Sequence, residues 1–355
     1  MMNQKTRVMY VVCYKSPDYI RNKTQLDELK SFGHINLQIV KNTSRGLIRY
    51  FEVFSKLKKQ VQTFKPNIII LGFRSTEIFW LVKLLSQPNT QIIYDAMMSP
   101  YMALRFEAKF GLLGKALSIP IFFIERTVLR SSDLILTDTI GHSNFYADTF
   151  KVTSNKIVVL PVGASEKRPK PIANRFPTRP IKFLFYGSFL PLHGVDYLID
   201  SIECIDEKSA CFTFVGYSKK YASRLKKLSM RKNIEVIPWV EYEKLIGEVI
   251  PAHDVGIGGP FGNTKQSNLV ITGKTSEFLC QGKTTLVGSI KTDISFKDKH
   301  NCLLIKQGSA NEIAKAINWC IENKNKLSEI GMNGQKLYND ELSKTVIKTK
   351  LTNIF

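Results

Sequence analysis

The stretch DVGIGGPFGNTKQSNLVITGKTSEFLCQGKTTLVG, residues 254–288, decides how the rest of the chain is read. A short apolar strand breaks into a Gly-rich turn containing Gly256, Gly258, Gly259, Pro260, Phe261 and Gly262. A helical segment with Lys274 and Glu277 follows, and a second apolar run at 284–287 closes the unit. Strand, Gly-rich loop, helix and strand together offer backbone N–H groups and a helix N-terminus to an anion, most often a phosphate. A carboxylate one turn into such a helix can accept hydrogen bonds from ribose hydroxyls. The unit predicts a nucleotide-sugar site.

Two short motifs in the same stretch imitate other sites. GKT at 273–275 resembles the end of a phosphate-binding P-loop, but that motif needs Gly at 268, where Asn268 stands. GKTT at 282–285 fails in the same way, with Glu277 in place of the first Gly. A dinucleotide fingerprint fails at Phe261, where its last Gly would fall. These failures argue against a P-loop NTPase and a Rossmann dehydrogenase.

Outside this stretch, the 355 residues are enough for two α/β domains. No run of 18 apolar residues occurs, so no membrane-spanning helix is expected, and the short apolar run at 8–13 reads as a first strand of a cytoplasmic protein. Six scattered cysteines without C-x-x-C pairs predict reduced thiols, with neither a disulfide framework nor a metal site. The net charge of +21 is concentrated early. Residues 1–180 carry 27 Lys and Arg against 12 Asp and Glu, whereas 181–355 carry 24 against 18. Such an excess fits an anionic partner, whether nucleic acid, an anionic membrane surface or a phosphorylated substrate. No recognisable nucleic-acid module accompanies it, so nucleic acid is not the expected partner.

Apolar strands alternate with amphipathic helices along the chain. In the first half, strands are expected at 7–13, 35–40, 67–73, 91–94 and 134–136, with helices at 44–64 and 77–85. In the second half, strands are expected at 182–186, 211–215, 234–237, 255–257, 284–287 and 302–305, with helices at 195–205, 219–228, 242–250, 274–280 and 310–323. This spacing predicts mostly parallel sheets covered on both faces. The run SEKRPKPIANRFPTRP at 165–180, with four prolines, reads as a linker. The expected division is an N-terminal acceptor domain at 1–164, that linker, a C-terminal donor domain at 181–340, and a terminal helix at 341–355 returning to the first domain. The apolar segment 102–130, edged by Lys109, Lys115, Arg126 and Arg130 and interrupted by Pro120, reads foremost as a buried helix pair and secondly as a segment lying in a membrane surface.

Four segments resemble the GT-B glycosyltransferases, and among them family 4, the retaining enzymes that use nucleotide sugars. They are SDLILTDT (132–139) with KIVVLPVG (156–163), FLFYGSFLPLHGVDYLIDSI (183–202), IPWVEYEKLIGEVIPAHDVGIGG (237–259), and KTSEFLCQGKTTLVG (274–288). The resemblance implies two doubly wound Rossmann-like domains facing each other across a cleft. It also implies a donor that is a nucleotide diphosphate sugar, UDP being the commonest in the family, with no metal or other cofactor.

Carried over position by position, Glu277 falls on the family's ribose-binding glutamate, while Leu269 occupies the place of its partner glutamate. The phosphate loop opens with Gly187 and Ser188 and closes with His193 and Gly194, where many members have Gly-Arg and Lys-Gly. Lys265 and Lys274 are then the nearest candidates for the cation that meets the diphosphate. Amides near Gly187, Ser188, Gly259, Phe261 and Gly262 would stabilise charge on the leaving group. Trp239 and Val240 fall where the family places residues beside the nucleotide base; a core tryptophan is the alternative. Asp95, following the strand at 91–94, could orient or deprotonate the acceptor hydroxyl, a helix cap being its alternative. Asp95 and His193 are the candidate catalytic groups. His142 reads as an ordinary loop residue.

The implied function is transfer of a hexose from a nucleotide sugar to a saccharide or lipid-linked saccharide, in bacterial polysaccharide, capsule or lipopolysaccharide synthesis, by a cytoplasmic protein peripheral to the membrane. The competing readings are a nucleotide-sugar 2-epimerase of the same fold, a scaffold that binds nucleotide sugar without transferring it, and a basic nucleic-acid-binding protein.

Overall fold

The computed structural model describes residues 5–107, 110–166 and 180–355. The linker assigned to 165–180 lies outside the described residues except for its ends, as does Lys109. The chain divides into two compact units, residues 1–162 with 347–355, and residues 163–346.

In the first unit, strands and helices alternate as β1 (Thr6–Val12), α1 (Ile20–Lys30), β2 (Ile35–Lys41), α2 (Ile48–Phe64), β3 (Ile68–Leu71), α3 (Phe79–Leu85), β4 (Gln91–Asp95), α4 (Pro100–Arg105), α5 (Gly111–Ser131), β5 (Leu134–Thr137), α6 (Ile140–Phe150) and β6 (Ile157–Val159). The strands form one parallel sheet in the order β2-β1-β3-β4-β5-β6. Runs such as IIIL in β3 are buried throughout, as a strand covered on both faces must be. Leu26 and Leu29 of α1, and Phe32 just after it, share a core cluster with Val8, Tyr10, Ile347 and Leu351, so the chain's last helix joins the core of the first unit.

The second unit repeats the pattern with β7 (Ile181–Tyr186), α7 (Val195–Glu203), β8 (Ala210–Val215), α8 (Ala222–Leu228), β9 (Ile234–Ile237), α9 (Tyr242–Lys244), β10 (Val255–Gly259), α10 (Gly273–Cys280), β11 (Thr284–Gly288), β12 (Leu303–Ile305), α11 (Ala310–Glu322), α12 (Leu327–Leu337) and α13 (Lys344–Thr352), which leads into the first unit. Its parallel sheet has the order β12-β11-β10-β7-β8-β9. Phe183, Phe185, Phe212 and Phe214 alternate along β7 and β8 and fill the core beneath α7 and α11.

The segment 102–130 is a helix pair, but it is buried on one side only. Gly114, Ser118, Glu125, Val128 and Leu129 of α5 face inward, while its other face is exposed. Pro120 does not break α5. It lies on the exposed face, where solvent can take the carbonyl left without a donor. Among the described residues no helix is long and apolar enough to cross a membrane.

Candidate functional site

The carboxyl ends of β7, β8 and β9 lie in register, Tyr186 beside Val215 and Val215 beside Ile237. Three loops therefore leave one edge of the second unit's sheet together, and β10 delivers the Gly-rich turn to the same edge. Gly187 begins the first loop with φ 143°, a conformation open to glycine. A Cβ there would stand 3.4 Å from His193 Cε1 and 3.6 Å from Lys274 Nζ. Sequence positions 187, 193 and 274 are thus brought to one point.

Lys274 is the second residue of α10, whose N-cap Thr272 accepts from Thr275 N at 3.3 Å and donates to the Gly258 carbonyl at 2.8 Å. Only 6% of Lys274 is exposed, and its Nζ lies 5.1 Å from the centre of the Phe185 ring. No hydrogen-bond acceptor meets Nζ among the described residues. Burial lowers its pKa from 10.5 to about 7. A cation held at a helix N-terminus, over an aromatic ring and short of acceptors, is poised for an anion.

His193 ends the short turn Pro191–His193, and the Leu190 amide donates to its Nδ1 at 3.3 Å. That contact leaves the ring proton on Nε2. Burial, and then the Lys274 charge, hold its pKa well below 6.5. His193 is therefore a neutral hydrogen-bond donor.

The backbone donors are fewer than the sequence implied. The Gly187 amide donates to Val215 O at 2.9 Å and the Gly262 amide to Leu192 O at 3.0 Å, so neither is available to a ligand. The amides of Ser188 and Phe189 meet no acceptor among the described residues. Phe261 is a core residue, fully buried beside Phe189 and Val195, so its side chain lines no binding surface. Gly259, with φ 72°, ends β10 and precedes a cis Pro260. Gly194 is where the two loops touch. Its φ is 64°, and a Cβ there would stand 2.5 Å from the Phe261 carbonyl carbon. Only glycine fits. Lys265 is exposed in the loop that follows Gly262.

Glu277, one turn beyond Lys274 in α10, is only 3% exposed. Its Oε1 accepts from Tyr242 Oη and from Ser165 N, each at 2.6 Å. No local pattern pointed to these two donors, one just after the first unit and one in α9. Burial, and then the Glu277 charge, push the Tyr242 phenol well above its usual range. Any hydroxyl that binds Glu277 must share the carboxylate with Tyr242. Trp239 follows β9 and is 74% exposed, its Nε1 3.3 Å from Glu241 Oε1, so the core-tryptophan alternative is wrong. Val240 packs instead against the cluster of Leu184, Val215 and Phe278.

In the first unit the assignment of Asp95 as a base fails. Its side chain is inaccessible: Arg21 Nε donates to Oδ2 at 2.8 Å, Gln25 Nε2 to Oδ2 at 2.7 Å, and Arg21 Nη2 and Met97 N to Oδ1 at 3.2 Å each. Arg21 also donates to the carbonyls of Leu160 and Pro161. Asp95 therefore serves to tie α1, β4 and the exit from β6 together. The cap of the next helix is Ser99, not Asp95. His142 is not a loop residue. It lies in the first turn of α6, fully buried, with Nδ1 against Asp138 Oδ1, while its Nε2 and Asp138 Oδ2 meet no partner among the described residues. The four-residue spacing from the end of β5 into the capped helix was the available signal for this pair.

No protein-family model matches the chain, and no curated protein matches it by sequence. Solved structures do. A sucrose-phosphate synthase from Thermosynechococcus elongatus superposes with TM-score 0.78 at 12% identity, covering 99% of this chain and 98% of its own. Anabaena HepE in complex with UDP-glucose gives 0.71 at 12% identity, covering 98% of each chain. The fold is that of the GT-B glycosyltransferases. A GT-B neighbour titled simply a glycosyltransferase, from Rickettsia africae, gives 0.68 at 10% identity and covers 99% of this chain and 97% of its own. At these identities the likeness is one of GT-B fold, and the site of this chain has to be argued from its own residues.

Proposed function

We propose that the chain is a glycosyltransferase that holds a nucleoside diphosphate sugar at the carboxyl edge of the sheet in residues 163–346. The observation that carries this reading is Lys274, a buried cation at a helix N-terminus with no acceptor among the described residues, facing the neutral donor His193 across Gly187. The diphosphate would rest on Lys274 Nζ, His193 Nε2 and the amides of Ser188 and Phe189. Sugar departure leaves negative charge on the diphosphate, and donors already fixed in a dry site lower that barrier most. Exposed Trp239 is suited to stack on the base, and Glu277 with Tyr242 to meet the ribose. HepE, of the same fold, is described with UDP-glucose, which supports a UDP-hexose as donor. Transfer with retention to a saccharide or lipid-linked saccharide, in polysaccharide, capsule or lipopolysaccharide synthesis, completes the reading.

Thermal melting with a panel of nucleotide sugars tests it, because a true donor stabilises the folded state by mass action. At least one should raise the melting temperature of the wild type, and the Lys274→Met variant should lose that shift. Sugar transfer from the stabilising donor should depend on an added saccharide. Conversion of the donor with no acceptor present would instead favour the epimerase, and no shift with any nucleotide sugar would remove the proposal.

A further inference from the structure

The outward face of α5 is apolar along its length. Leu112 is 84% exposed, and Leu113, Leu117, Ile119, Phe123 and Ile124 share that face with it. Topology extends the face. From β2 to β3, β3 to β4 and β4 to β5 the chain advances in one direction along the sheet, so right-handed crossovers place α2, α3 and α5 on the same side, whereas the reversed step from β1 to β2 sends α1 to the other. On α2 and α3 large apolar side chains are again exposed, Phe51, Trp80 and Leu84 among them. A solvent-facing layer of this kind is far more apolar than the surface of an ordinary soluble domain.

Charge says what covers it. The exposed charged residues of α2, α3 and α5 are Lys58, Lys59, Lys83, Lys115 and Arg130, and none of the exposed residues in these helices is acidic. Glu52 is held by Lys56 and the backbone at Thr43 and Ser44, and Glu125 is buried. A second copy of this face would set like charges against one another in a chain that already carries +21. An anionic surface with an apolar interior satisfies both features.

We propose that the α2–α3–α5 face docks on a lipid bilayer bearing anionic headgroups, with the apolar side chains of α5 in the interfacial layer and the lysines against the headgroups. The helix lies on the bilayer and does not cross it. This inference does not depend on the transferase reading, and its test reads no turnover.

The experiment is sedimentation of the full chain with vesicles of phosphatidylglycerol and phosphatidylcholine, and with phosphatidylcholine alone. Wild-type protein should pellet with the anionic vesicles at low salt and leave them at high salt. Leu113→Glu/Phe123→Glu should weaken that binding about tenfold or more, as charge enters the apolar face. Lys83→Glu/Lys115→Glu should weaken it by a similar factor through the headgroups alone. All four positions are exposed, so the variants should keep the wild-type melting temperature. The proposal is overturned if the wild type stays in the supernatant with anionic vesicles. It is overturned equally if Leu113→Glu/Phe123→Glu binds them as wild type does, or if light scattering finds a dimer that this variant abolishes while vesicles are ignored.

Discussion

Lys274 is the residue on which the proposed chemistry turns, and its titration gives a direct handle. With its pKa lowered to about 7, the folded protein lacks a proton that the unfolded chain keeps up to about 10.5. Stability should therefore rise with pH across that window and be least below about pH 7. Lys274→Met should remove the rise and raise the stability measured below pH 7 by on the order of a few kcal/mol. A bound diphosphate restores the charge, so UDP affinity should weaken above about pH 7 by up to roughly tenfold per pH unit, as measured by calorimetry in wild type and absent in the variant. His193 stays neutral across that window; below about pH 6.5 the unfolded imidazole takes a proton that the buried one refuses, which lowers stability further. At this scale, motif position brought Lys274 and Gly187 forward as candidates, since each stands at a local loop or helix start. Asp95 was misread because its partner Arg21 lies 74 positions earlier and no local pattern joins them. Gly262 and Phe261 were misread because the sequence does not show which amides and side chains the fold itself consumes.

Helices and strands were readable wherever periodicity and caps agreed. The alternation gave both sheets, and β3, β7 and β10 fall close to the positions their apolar runs indicate. The segment 102–130 was less legible, because an apolar helix has the same pattern whether protein or another apolar phase covers its second face. Its inward face carries a titrating group. Glu125 accepts from Ser99 Oγ at 2.9 Å and Tyr101 N at 2.8 Å and so holds the start of α4 on α5. Burial raises its pKa from 4.5 to about 8 despite those donors. The folded state thus keeps a proton that the unfolded chain releases, and this contribution is complete below about pH 4.5 and lost as pH rises through 8. Wild-type protein should lose roughly 2 kcal/mol of stability from this group between about pH 6 and pH 9. Glu125→Gln, compared with wild type in denaturant melts at both values, should flatten that loss.

On the scale of the whole molecule, two six-stranded parallel sheets carry the GT-B fold at 10–12% identity to the solved structures compared, so the fold is shared where most residues are not. Function is divided unevenly over this frame. Lys274 and His193, the proposed diphosphate contacts, belong to residues 163–346, and the basic apolar layer to residues 1–162. The central claim is that a nucleoside diphosphate rests on the carboxyl edge of the second sheet. Amide hydrogen exchange, followed by mass spectrometry with and without saturating UDP, tests it most directly. Slowed exchange should concentrate in residues 187–194 and 272–280, with lesser protection near 239–242. Protection confined to residues 5–162, or UDP binding that leaves 187–194 and 272–280 unchanged, would contradict it.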